Sequence, residues 1–158
     1  MSELAALSLE TNTSISTHLE DVSCQLVNLI HLRQFDDPML EQYLDKNIHA
    51  SWDLRPSATT REQYLTDLDK LIHASPDYDH EIVNCCSSIH SSRRRATVWI
   101  TLNVSGVPIR QYGGVSRESV VLLEWRWSRR GWRCIRKKGV RGSAPFGGFL
   151  PPMGDRSE

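Results

Sequence analysis

The chain has 158 residues, 39% hydrophobic and 24% charged, with 19 basic and 19 acidic side chains. That length supports one domain with a real apolar core, and the composition excludes wholesale disorder. A net charge of zero excludes a whole-chain pull toward nucleic acid and leaves only a local basic face to bind phosphate.

In chain order, residues 1–15 are Ser/Thr-rich and aperiodic, which predicts a loose arm. Thr17 with Glu20 has the form of a capping box, and Leu19, Val22, Leu26, Leu29 and Ile30 make one helical stripe, so a helix is expected to about Gln34. Asp37-Pro38 opens a second, short helix containing Met39, Leu40, Tyr43 and Leu44. Asn47 to Leu54 reads as a strand ended by Arg55-Pro56-Ser57. Thr59 with Glu62 caps a third helix carrying Tyr64, Leu65, Leu68, Leu71 and Ile72, closed by Ser75-Pro76-Asp77.

From there the period changes to two. Strands are expected over His80–His90, Ala96–Val104, Ser119–Ser128 and Trp132–Val140, with turns at Ser105-Gly106 and Gly131. The Gly/Pro-rich residues 143–158 propagate neither helix nor sheet. Helices, one strand, a helix and then an antiparallel meander make an α+β pattern in which a curved sheet wraps around helices. The domain is expected over residues 16–142.

Charge is unevenly placed: residues 1–90 carry 15 acidic and 5 basic side chains, and residues 91–158 carry 4 and 14. Eight Arg and Lys residues fall between Arg126 and Arg141, close to Trp125, Trp127 and Trp132. Such a stretch fits a nucleic-acid surface. It equally fits a closing hairpin whose cationic stems cover apolar surface while their heads stay wet. Its period of two favours the hairpin, with Val121, Leu123, Trp125 and Trp127 on one face and Arg133, Ile135 and Lys137 opposite Trp132, Cys134 and Arg136.

The four cysteines have no zinc spacing, and HxH, HExxH and CxxC are all absent from the sequence, so no metal or other cofactor is expected. No signal-peptide pattern and no apolar run of membrane-spanning length is visible, which predicts a cytoplasmic chain with reduced thiols.

The paired N-terminal helices ending in FDDP, the strand NIHASWDL, the helix TTREQYLTDLDKLIHASPD and the closing LEWRWSRRGWRCIRKKGVRG occur in an order that resembles the SnoaL-like branch of the nuclear-transport-factor-2-like superfamily. The resemblance spans about Thr17 to Gly142 and rests on the ordered set; no single motif is diagnostic. It implies a cone-shaped sheet around one apolar pocket, a homodimer, and a cofactor-independent isomerase, cyclase or dehydratase acting on a polyketide- or terpenoid-like molecule. The tryptophan-rich ending looks like fungal members from secondary metabolism. A non-catalytic binding or scaffold protein of the same fold is the alternative.

The family's steroid-isomerase acid would fall on Leu123 and its base on Trp52 or, with a one-residue slip, Asp53, so that pair is not reproduced. Asp53 is the candidate acid or base, with His49 beside it: on a strand His49, Ser51 and Asp53 share a face. The competing reading turns that row to solvent and Ile48, Ala50, Trp52 and Leu54 to the core. Trp52, Tyr64, Trp99, Tyr112 and Trp125 are the candidate substrate contacts, since large rigid aromatics shape a pocket as readily as they fill a core.

Overall fold

The computed structural model describes residues 11–52, 56–106 and 117–141. Helix α1 (Asn12–His31) begins earlier than Thr17 because Thr11 is its cap, accepting from the Ser14 amide at 3.1 Å. Ile15, expected in a loose arm, is fully buried. The helix also stops short of Gln34. Arg33 adopts a left-handed φ of 59°, the Gln34 amide donates to the Leu29 carbonyl and the Arg33 amide to Ile30. This is a Schellman closure with Arg33 in the place usually held by glycine. His31 is thereby left as the last helical residue.

Helix α2 (Pro38–Tyr43) has Asp37 as cap and Pro38 in its first turn, as expected. Strand β1 (Leu44–Trp52) follows directly. Helix α3 (Arg61–His73) is capped by Thr60, one residue later than the sequence pattern suggested, and buries Tyr64, Leu68 and Ile72. Strands β2 (Asp79–Ile89), β3 (Arg95–Ser105), β4 (Arg117–Ser128) and β5 (Gly131–Arg141) complete the chain's described part.

The sheet order is β1-β5-β4-β3-β2. The meander β2 to β5 is antiparallel, as its turns predict, while β1 joins the far side of β5 in parallel, making the sheet mixed. One face packs against the helices. Its core includes Leu19, Leu26 and Ile30 of α1, Val98, Ile100 and Leu102 of β3, and Val121, Leu123 and Trp125 of β4. Ile48 and Ala50 of β1 are fully buried and His49 is exposed, so the even-numbered residues of that strand face the core.

Within the antiparallel meander, two bulges break the period of two. In β2, Ile82 pairs with Leu102 and Asn84 with Thr101, leaving Val83 without an opposite residue. In β5, Cys134 pairs with Trp125 and Arg136 with Glu124, leaving Ile135 as the extra residue. Each extra residue reverses the facing of everything beyond it. The β5 bulge therefore corrects the expected alternation: Cys134 is buried, Arg136 is exposed, and Lys137 turns inward to become a buried residue. Glu124 and Arg136 meet on the other face at 3.8 Å.

Candidate active site

The concave side of the sheet encloses a narrow cavity between α1, β1, α3, β4 and β5. Leu26, Val27, Ile30, Leu44, Val121 and Leu123 form its apolar wall, and His31, Tyr64 and Lys137 bring polar atoms to it. The open space is about 10 Å³, room for about one water molecule. A substrate's reactive end would enter only as these side chains part.

His31 reaches this cavity from the last turn of α1. Its Nδ1 is hydrogen-bonded to the Tyr78 hydroxyl, just before β2. His80, two residues further, lays its ring against His31 with centroids 4.6 Å apart, and its Nε2 donates to Asn28 Oδ1 at 2.8 Å. Burial, then the positive charges that His80 and Lys137 can carry, hold the His31 imidazole down at about 3. Its ring is thus neutral over the physiological range. Burial pushes the Tyr78 hydroxyl above its ordinary range and keeps it a protonated donor. A phenol donating to Nδ1 leaves the imidazole proton on Nε2. In the other tautomer Nδ1–H donates to the Tyr78 oxygen, the phenol keeps its own proton turned elsewhere, and Nε2 is free to accept.

Lys137 Nζ lies 5.4 Å from the centroid of the Tyr64 ring, an attractive arrangement for a cation over a π face. Burial lowers its ammonium to about 8. Burial likewise raises the Tyr64 hydroxyl, so Tyr64 is a proton donor and not a phenolate.

The sequence-predicted residues divide sharply. Tyr64 lines the cavity. Trp125 is buried in the core, does not line the cavity, and meets Tyr43 edge-on at 6.2 Å. Trp99 shares the half-buried face of Thr97 and Thr101, opposite the buried Val98 and Ile100, so it stands on the outer side of the sheet and not in the cavity wall. His49 is exposed on the face of β1 away from the core. Asp53, Tyr112 and the Trp52 side chain lie outside the described residues. His31, Tyr78 and Lys137 were not singled out from the sequence. The alternation Tyr78-Asp79-His80 was a usable signal for a pair of rings on one face, whereas Lys137 gave none without the bulge.

A second depression lies at the β4–β5 turn, lined by His18, Gln42, Tyr43, Trp127, Arg130 and Trp132, with an open volume of about 280 Å³. It is roomier but shallower. Among the described residues no cluster of His, Cys, Asp or Glu is arranged to hold a metal, and the four thiols are free. No described helix is long and apolar enough to cross a membrane.

The comparisons bear on this architecture. No family model and no curated protein matches the sequence. Solved structures do match. Hexachlorocyclohexane dehydrochlorinase LinA-type3 from Novosphingobium barchaimii LL02 superposes with a TM-score of 0.67 at 13% identity, over 85% of this chain and 92% of that one. A putative dehydratase of the NTF2-like family from Streptomyces avermitilis gives 0.65 at 13%, over 85% and 100%. The chain has the nuclear-transport-factor-2-like fold. The same NTF2-like frame also matches the S. rosetta CaMKII hub, with a TM-score of 0.62 at 10% identity over 80% and 95% of the chains. At these identities the likeness establishes the frame, and the chemistry must be argued from the residues this NTF2-like cavity holds.

Proposed function

We propose that this protein is a small-molecule enzyme of lyase or isomerase type that moves a proton at a carbon beside a carbonyl. The observation that carries the reading is the hydrogen bond between buried His31 and Tyr78 at the end of an apolar cavity. In the tautomer with Nε2 free, His31 accepts the substrate proton while Nδ1 keeps its bond to Tyr78. The reverse shift returns the proton at a neighbouring carbon or to a departing oxygen. Tyr64, a neutral donor at the same cavity, suits the oxygen on which negative charge develops. His31 and Tyr78 thus take the place that the sequence pattern gave to Asp53 and His49. The apolar wall favours a hydrophobic substrate of polyketide or terpenoid kind, and a dehydrochlorinase and a dehydratase on the same fold support elimination chemistry.

The test is exchange of acetone's methyl hydrogens with deuterated water, followed by NMR. The protein is expected to catalyse it, His31→Gln to lower the rate by about a hundredfold, and Tyr78→Phe to lower it less, with circular dichroism unchanged. Equal rates in wild type and His31→Gln would sink the assignment. The small volume of the cavity favours a second reading, a non-catalytic scaffold, which the hub structure on the same frame also supports. That reading predicts no exchange above solvent background.

A further inference from the structure

The cavity contains one reactive group that the His31–Tyr78 pair leaves unused. The neighbours of Lys137 on β5, Arg136 and Lys138, are exposed, which is how long cations on a sheet ordinarily end. Lys137 does not share their fate, because the bulge at Ile135 aims its chain at the helices, where it is 8% exposed and shares a cavity with His31 and Tyr64. Bulges next to reactive sites commonly re-aim a side chain in this way.

We propose that Lys137 is the amine that captures the substrate as an imine, which makes the substrate an aldehyde or ketone bearing hydrogen on the adjacent carbon. The inference deepens the reading of this cavity as the reactive site and rests on it. The amine lone pair attacks the carbonyl carbon and the C=O π pair moves to oxygen, which takes up a proton as nitrogen loses one. The hydroxyl of that carbinolamine leaves with a second proton as water, while the nitrogen pair closes the C=N bond. One amine and one carbonyl become one imine and one water, with no change of oxidation state. Tyr64, a phenol beside Lys137, lends the departing hydroxyl that second proton and takes one back from the nitrogen as the neutral imine forms.

The arrangement answers a difficulty in the proton-transfer step. An imidazole held at about 3 is a weak base for a C–H bond beside a simple ketone. A protonated imine draws electrons from that bond and makes its proton far easier to remove, which brings the step within reach of His31. Lysines in desolvated pockets retain the neutral amine this capture requires, and burial places Lys137 at about 8.

The experiment is to incubate the full chain with acetone near neutral pH, reduce with borohydride, and locate isopropyl-lysine by peptide mass spectrometry. Exposed Lys46, Lys70 and Lys138 are internal references that show the probe and the hydride are active. The expected result is label at Lys137 in excess over Lys138 by about tenfold or more, abolished in Lys137→Met. Label spread evenly over the lysines, or confined to the exposed ones, overturns the proposal. The acetone exchange assay separates the two readings. His31-dependent exchange that survives in Lys137→Arg overturns the imine and leaves proton transfer by His31 standing. An adduct at Lys137 without exchange supports the imine and removes the His31 step. Neither adduct nor exchange overturns both.

Discussion

Two bases face one cavity, and burial drives both toward the neutral form. For Lys137 the folded value of about 8 lies below the ordinary 10.5. Between those values the unfolded chain holds a proton that the folded one has released, so stability rises with pH across that window. Below pH 8 both states are protonated and the folded state bears the whole desolvation penalty. Lys137→Met is therefore expected to be more stable than wild type near neutrality by about 2–3 kcal/mol. The gap should close as pH rises through 8 toward 10.5, measured as urea midpoints over a pH series; a less stable variant at neutral pH would refute the penalty. For His31, lowered from 6.5 to about 3, the unfolded chain binds the extra proton as pH falls between those values. Stability should fall through that window, and the slope should flatten in His31→Gln.

At the scale of elements, Gly106 fixes the approach to this site. It has a φ of 75°, and a Cβ there would lie 1.8 Å from the Asp77 carbonyl oxygen and 2.7 Å from the Tyr78 amide. The end of β3 thus presses directly on the backbone that presents Tyr78 to His31. Gly106→Ala is expected to lose roughly 2 kcal/mol or more, since both conformation and space oppose it. Thermal unfolding measures the loss, and an unchanged midpoint would contradict it. The elements themselves were legible in sequence because capping residues and apolar periods are local signals: Asp37-Pro38, the α3 stripe and the four meander strands all stand within a few residues of expectation. The site was much less so. Ile135 and Val83 look like ordinary strand residues, yet each adds one to its strand and reverses the facing of its later residues. Lys137 thus read as an outer-face cation. His31 read as the interior of a longer helix, because nothing in the sequence marks Arg33 as the residue that turns left-handed.

For the whole molecule, the acidic and basic halves keep their described ion pairs to themselves: Arg33–Asp69 and Glu124–Arg136 each lie within one half. Attraction between the halves at longer range weakens with salt. The basic run of the last hairpin is likewise divided, with exposed Arg126, Arg129, Arg130, Arg136 and Lys138 on one hand and buried Lys137 on the other. The homodimer that the sequence resemblance implies would use the outer side of the sheet, where Trp99 stands half-buried at the middle of β3 among Thr97 and Thr101. An indole on a sheet's solvent side is a fitting anchor for a second copy. Trp99→Lys is expected to shift a dimer to monomer in sedimentation equilibrium, and a wild-type monomer would refute the arrangement.

The parallel pairing of β1 with β5 bears on how the molecule forms. Ala50 lies opposite Lys137, roughly ninety residues further along the chain, whereas each meander strand finds its partner much closer in sequence. Closing so distant a pair costs chain entropy before any contact rewards it, and folding rates fall as such separations grow. The meander can therefore assemble early and β1 dock late. Until it docks, the cavity lacks the wall that Leu44 provides, so this chamber would be the last part of the protein to exist.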